Sequence, residues 1–109
     1  MSFYDISVMN YKRKKDKLYV KTIHGENIQM AFGRMEPGFI SRHSHPQEQM
    51  GRVLSGVVKI TIDDEAKMCP AGFTYHIPAN VEHSFEVQSS RAAEIMDIFS
   101  PPKKENTAA

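Results

Sequence analysis

Apolar and polar residues alternate along most of this chain, in short runs that end at glycine, proline or charged turn residues. Alternation over roughly four to eight residues is typical of a β-strand with one buried face. Turn residues recur about every 8 to 12 positions, which is typical of an all-β sandwich or barrel. The pattern predicts nine strands, at residues 18–23, 28–35, 39–45, 49–54, 57–62, 67–69, 73–77, 83–87 and 92–99.

Two segments fall outside this alternation. Residues 12–17 read KRKKDK, a basic run that we expect to be a solvated loop or strand edge rather than a phosphate contact. Residues 103–109, KKENTAA, are expected to form a frayed tail. The expected organisation is one domain over residues 1–109, with a barrel core at about 18–102 flanked by an N-terminal strand segment and the tail.

Length and charge narrow the classes of function. A chain of 109 residues is well below the roughly 250 at which chains usually divide into domains. Fourteen basic and 13 acidic residues give a net charge of +1, which argues against a nucleic-acid partner. No apolar stretch is long enough to span a membrane, the N-terminus has no signal-peptide core, and a single cysteine, Cys69, fits a reducing compartment. We therefore expect a cytoplasmic protein that binds no membrane.

The candidate chemistry lies in the histidines. His43 and His45 are two residues apart in an extended segment, so both side chains point to one face, about 6.6 Å apart along the chain. That spacing lets both imidazoles bind one metal ion at about 2.0–2.1 Å. Taken alone, the spacing equally fits two surface histidines. Gln49 follows beyond the Pro46 bend, and His83 begins a later strand.

Two motifs favour the metal-binding interpretation. The segment from Gly38 to Gly56 contains HSHPQEQ and resembles the first motif of the cupin superfamily. The segment from Pro70 to Phe85 contains PAG and IPANVEHSF and resembles the second. This resemblance covers about residues 18–102 and implies an all-β double-stranded β-helix, a jelly-roll barrel with a divalent metal inside its mouth. The metal ligands that it implies are His43, His45, Gln49 and His83.

The fourth position departs from the usual cupin pattern, which has glutamate where this chain has Gln49. Three imidazoles and an amide are neutral, so the ion keeps its full charge and attracts anions more strongly. We expect a small anionic substrate with a carboxylate or an enolisable oxygen. Imidazole ligands accept Zn, Ni, Mn or Fe, so the sequence leaves the identity of the metal open.

A narrower resemblance involves the C-terminal motif. HSHPxEQ together with DIFSPP at residues 97–102 is similar to the small cupins of pectin degradation, which convert 4,5-unsaturated galacturonate to the linear 5-keto-4-deoxyuronate. The resemblance implies that Asp97 and Phe99 lie in the active site. That family has arginine directly after the two prolines, whereas this chain has Lys103, which lacks the bidentate geometry of arginine.

Roles for these residues follow as hypotheses. Asp97 would move a proton as general acid or base; the alternative is a strand-end aspartate paired with an arginine or lysine. Phe99 would stack on the sugar ring or pack in the core, and Lys103 would bind the substrate.

The predicted function is a metal-dependent isomerase or lyase-type cupin acting on an unsaturated uronate or similar sugar acid. The alternatives are a dioxygenase, a polyketide cyclase or a non-catalytic cupin that binds a small molecule, since fold does not settle function. We also expect a homodimer whose N-terminal segment is exchanged or packed across the interface.

Overall fold

Ten strands form two antiparallel sheets in the computed structural model, which describes residues 2–104. A short 3-10 helix at Ile6–Val8 precedes them. The strands in chain order are β1 (Lys12–Lys15), β2 (Leu18–His24), β3 (Gln29–Met35), β4 (Ile40–His43), β5 (Glu48–Ser55), β6 (Val57–Ile62), β7 (Glu65–Pro70), β8 (Thr74–Ile77), β9 (His83–Val87) and β10 (Ala93–Ser100). One sheet has the order β1-β2-β3-β10-β5-β8 and the other β4-β9-β6-β7.

The predicted all-β jelly-roll class is confirmed, and each of the nine predicted strands corresponds to one of β2 to β10. The tenth strand, β1, lies in the basic run and pairs only with β2, at the edge of the six-stranded sheet. The basic run is therefore a strand at the edge of the sheet, which is one of the two forms predicted for it.

The predicted tail differs from the structure at its first residue. Lys103 is only 9% exposed, and its ammonium lies 5.2 Å from the centroid of the buried Phe99 ring, so this residue packs against the barrel instead of fraying. Residues 105–109 of the predicted tail lie outside the described residues.

The core lies between the two sheets and explains the alternation in the sequence. On β3 every second residue is buried, and β10 shows the same period, as expected for strands with one face on the core. Each fully buried aliphatic side chain contributes about 1.5–3 kcal/mol. The apolar side chains of this core include Met35, Val53, Val58, Ile60, Ile77, Phe85 and Ile95.

Within residues 2–104, no helix has the length and apolar character that a membrane-spanning helix requires.

Candidate metal centre

Strand pairing brings the three predicted histidines to one point. His43 ends β4 and lies directly opposite His83, the first residue of β9. His45 follows two residues after the end of β4. One ligand nitrogen from each of the three lies within 4.8 Å of the others. Three nitrogens on one tetrahedral ion are roughly 3.4 Å apart, so a small side-chain adjustment suffices for all three to share an ion.

For two of the three rings, a backbone carbonyl fixes which nitrogen faces this point. His83 Nδ1 donates to the carbonyl of Val81 at 2.9 Å, and His45 Nδ1 donates to the carbonyl of Gln47 at 3.0 Å. Because the proton is on Nδ1, the Nε2 atom of each ring is left with a lone pair. Histidines that bind metals are held in this way by a carbonyl on the other nitrogen.

The Nε2 atom of His83 lacks the hydrogen-bond partner that a buried polar atom normally has, since it is buried and has none among the described residues. Leaving a buried polar atom unsatisfied costs about 1–3 kcal/mol, so native proteins rarely keep one without a reason. A cation at this point would satisfy it.

Gln49 supplies a fourth donor. Its amide is buried on β5, and its side chain donates to the carboxylate of Asp97, so the amide oxygen turns the other way. That oxygen, Oε1, lies 3.0 Å from His45 Nε2. Two lone pairs then face each other, an arrangement that a proton or a cation between them would stabilise. Three imidazole nitrogens and one amide oxygen therefore fit a divalent cation.

The electrostatics of the site keep the imidazoles neutral. Burial, reinforced by the charges of neighbouring His83 and Lys103, lowers the pKa of His43 to about 4. Burial also lowers the pKa values of His45 and His83, and Lys103 adds to the effect on both. These shifts favour the unprotonated form of all three rings, which is the form that binds metal.

Asp97 lies beside the donors and is itself buried, with 6% of its surface exposed. Its carboxylate accepts a hydrogen bond from the Tyr75 hydroxyl at 2.6 Å and another from the Gln49 amide. Burial raises the pKa of Asp97 to about 6, although these hydrogen bonds and the charge of Lys103 oppose the shift. Asp97 lies within β10 (Ala93–Ser100), three residues before its end, and Lys103 and Lys14 both act on its carboxylate through their charge.

A glycine makes the Tyr75–Asp97 contact sterically feasible. Gly51 on β5 pairs with Asp97 on one side and with Tyr75 on the other. A Cβ atom at Gly51 would overlap both the Asp97 carboxylate and the Tyr75 hydroxyl. Sequence reasoning missed both Tyr75 and Gly51. The available signal was a glycine inside a predicted strand, which often marks a close approach.

Phe99 and Lys103 complete the surroundings of the histidines. The Phe99 ring is buried and packs edge-on against His45 with ring centroids 5.7 Å apart. The Lys103 ammonium lies 5.2 Å from the centroid of the Phe99 ring, within cation–π range. Phe99 therefore packs against a candidate ligand, which favours the packing role over a face free to stack on a sugar.

Two spaces open beside the histidines. An interior cavity of about 70 Å³ is lined in part by His43, Gln49, Asp97, Phe99 and Lys103. A larger outer cleft of about 1020 Å³ is bordered by His43, His45, Lys103 and also His24, which sequence reasoning had treated only as a turn residue. The predicted catalytic and substrate-binding residues thus lie around the interior cavity, while His43 and Lys103 border both spaces.

Comparisons with known proteins agree with this fold. A model of the cupin domain family matches residues 31–99. An RmlC-like cupin from Shewanella frigidimarina superposes with a TM-score of 0.88 at 19% identity, covering 96% of this chain and 95% of that one. KdgF from Halomonas sp. also gives 0.88, at 18% identity, covering 96% and 97%. At such identities these two structures show the fold alone.

A curated relative is a regulator. The HTH-type transcriptional regulator PuuR of Escherichia coli is 30% identical over 88 residues, which are 75% of this chain and 48% of PuuR. The chain therefore spans about half the length of that relative.

Removal of one candidate ligand tests the metal centre. We expect the wild type to bind one divalent cation at neutral pH, and His83→Ala to bind it more than about 100-fold more weakly, beyond the loss typical of outer hydrogen-bond partners. The measurement is metal content together with calorimetric titration. His76→Ala is the matched control, because His76 is exposed and bonded to Glu48, and should retain full affinity. Full metal retention in His83→Ala would remove His83 from the centre.

Tyr75→Phe tests the hydrogen bonds behind Gln49. Loss of the hydroxyl leaves the buried Asp97 with one donor fewer, so we expect the free energy of unfolding to fall by about 1–3 kcal/mol. We also expect metal affinity to fall about 10- to 100-fold. Chemical denaturation and metal titration measure the two effects, with Tyr19→Phe on β2 as the control. Unchanged stability and affinity in Tyr75→Phe would contradict this role.

Proposed function

The chain belongs to the cupin domain family, and from that premise we propose that it is a metal-dependent enzyme promoting ring opening and keto–enol isomerisation of an unsaturated uronate or similar sugar acid. The observation that supports this most is a neutral donor set, His43, His45, His83 and Gln49, directly beside a buried carboxyl group, Asp97. The DIFSPP motif, through its resemblance to the cupins of pectin degradation, supports the choice of substrate.

The donor set would hold Zn, Ni, Mn or Fe, and such an ion supplies Lewis acidity undiminished by an anionic ligand. Asp97 supplies the proton chemistry. A carboxyl group with a pKa of about 6 exists in both forms near neutral pH, which suits a group that must first accept and then return a proton.

The proton balance of the reaction needs one such group. Asp97 accepts the proton of the anomeric hydroxyl while the bond between the anomeric carbon and the ring oxygen breaks, which leaves an aldehyde and an enolate. It then delivers that proton to the double-bond carbon of the enolate that does not carry the oxygen, and the ketone forms. Nothing is gained or lost overall, so the reaction is an isomerisation without an external oxidant or reductant. Tyr75 and Gln49 hold the carboxylate in place through both steps.

Lys103 takes the position of the arginine in the pectin-degradation cupins. Its ammonium can neutralise a substrate carboxylate as a point charge but cannot form the two parallel hydrogen bonds that arginine makes. Phe99 keeps this ammonium and the His45 ring in position from the inner side. A sugar acid other than galacturonate therefore remains compatible with the site.

Turnover of pectate-lyase products tests the proposal. We expect the metal-loaded wild type to accelerate the disappearance of the unsaturated chromophore, and Asp97→Asn to lower kcat about 10²- to 10⁴-fold, as for loss of a general acid–base group. Glu94→Gln, on the same strand and bonded to Ser55, is the matched control and should retain activity. A wild-type rate equal to the spontaneous rate would overturn the uronate assignment.

The similarity to PuuR favours a second candidate, a cupin that binds a small molecule without turning it over. In that case His43→Ala would abolish ligand binding, and neither the wild type nor any variant would show turnover. The dioxygenase and polyketide cyclase alternatives use the same barrel. Oxygen uptake by the Fe(II)-loaded protein would favour a dioxygenase.

We also propose that the protein is a homodimer through the outer face of the six-stranded sheet. Ile98 lies between Met30 and Met50 in one cross-strand row, and Met50 is 56% exposed. Apolar rows of this kind on a sheet face are typical of association surfaces. The N-terminal segment supports this arrangement, because Tyr11 lies over Lys21 at 4.4 Å and so holds that segment close to the same sheet.

Light scattering tests the dimer. We expect the wild type to have about twice the chain mass of 12.4 kDa, and Met50→Lys to shift the mass to that of one chain, because a charge would be buried in the apolar row. Met68→Lys is the matched control, since Met68 is similarly exposed but lies on the other sheet. A monomeric wild type would overturn the dimer, and a dimeric Met50→Lys would overturn this choice of face.

A further inference from the structure

The basic run at residues 12–17 lines part of the candidate site and does not only face solvent. Lys14 and Lys15 of β1 both line the interior cavity that also contacts His43 and Asp97. Neighbouring residues on a regular strand point to opposite faces, so periodicity alone would send one of the two away. The pairing of β1 with β2 shifts register between Arg13 and Lys15, and such a bulge re-aims side chains.

The charges around this cavity are strongly unbalanced. Lys15 acts on His43 and Lys14 acts on Asp97, while Lys103 acts on both, in each case favouring a lower pKa through its positive charge. Among the described residues that line the cavity, Asp97 is the only carboxylate facing three lysines. Although the net charge of the protein is only +1, three lysines therefore lie around one cavity.

Two of the ammonium groups are held against aromatic rings. Lys15 lies 5.7 Å from the centroid of Phe39, and Lys103 lies 5.2 Å from that of Phe99. Each contact keeps an ammonium group at the wall of the cavity, where its positive charge can attract an anion.

The size of the cavity indicates which part of an anion would enter. Its volume of about 70 Å³ compares with roughly 30 Å³ for one water molecule, so it accommodates a carboxylate group but not a sugar ring. The outer cleft of about 1020 Å³, which shares His43 and Lys103 with it, has room for the rest of the molecule.

We propose that Lys14, Lys15 and Lys103 form a carboxylate-binding subsite along the wall of this cavity, so that β1 helps to select small organic acids whose other oxygens face the histidines. The inference rests on the proposed function for the identity of the acid. The subsite itself can be measured without turnover.

The test is calorimetric titration of the zinc-loaded full chain with galacturonate, a saturated uronate, and with galactose, its neutral counterpart. We expect the wild type to bind galacturonate at least tenfold more tightly than galactose. Lys14→Gln and Lys15→Gln should each weaken galacturonate binding by about tenfold, the loss of one charge-assisted contact, and leave galactose unaffected. Lys12→Gln, a change of the same charge on the same strand outside the cavity, should behave like the wild type.

Two results would overturn the subsite. One is a wild type that binds neither galacturonate nor malonate, a simpler carboxylate probe. The other is galacturonate affinity in Lys14→Gln and Lys15→Gln equal to that of Lys12→Gln. Metal content measured on the same samples should be unchanged in all three variants, which separates loss of the anion from loss of the ion. If the lysine variants lose galacturonate affinity as expected but unsaturated galacturonate is not turned over, the proposed function fails while the subsite stands.

Discussion

Two backbone carbonyls, of Val81 and Gln47, determine the chemistry of this barrel. They hold the Nδ1 protons of His83 and His45, so that Nε2 of both rings faces the candidate metal centre. The buried Nε2 of His83 then lacks any hydrogen-bond partner among residues 2–104, and that of His45 faces an amide oxygen. Without a cation, such an arrangement is electrostatically unfavourable. With one, four neutral donors are satisfied together, and the ion keeps its charge.

Asp97, the one buried carboxylate among residues 2–104, lies directly behind the Gln49 donor. Asp97 contacts Gln49 and Tyr75, so it orients the amide oxygen while remaining available for proton transfer. Gly51 permits this, since the hydroxyl of Tyr75 crosses the space that a side chain at Gly51 would fill. The ligand set therefore stays neutral, and the negative charge that a usual cupin glutamate would bring to the metal is held at Asp97 instead. Lys103 adds positive charge near His43, His45 and Asp97, which is the basis for our proposal that the site binds an anion.

The sequence was sufficient for the strands and for the meeting of the histidines. Alternation located β2 to β10, and the spacing of His43 and His45, read with the cupin motifs, identified the partner His83. What the sequence could not supply depends on register between distant strands. Tyr75 reaches Asp97 only because β8, β5 and β10 are adjacent and aligned at Gly51.

Local irregularity limited prediction in a different way. The bulge in β1 breaks the period of two on which strand reasoning depends, and it brings Lys14 and Lys15 into one cavity. Lys103 was expected in a frayed tail, but it is buried and its ammonium packs against Phe99. Both departures bring positive charge to the site, where a regular strand and a solvated tail would have left it in water.

X-ray absorption spectroscopy of the zinc-loaded protein tests the metal centre most directly. Four nitrogen or oxygen neighbours at about 2.0–2.1 Å, with the multiple-scattering signature of three imidazoles, are the expected result. Sulfur at about 2.3 Å, or fewer than two imidazoles, would contradict a centre built from His43, His45, His83 and Gln49.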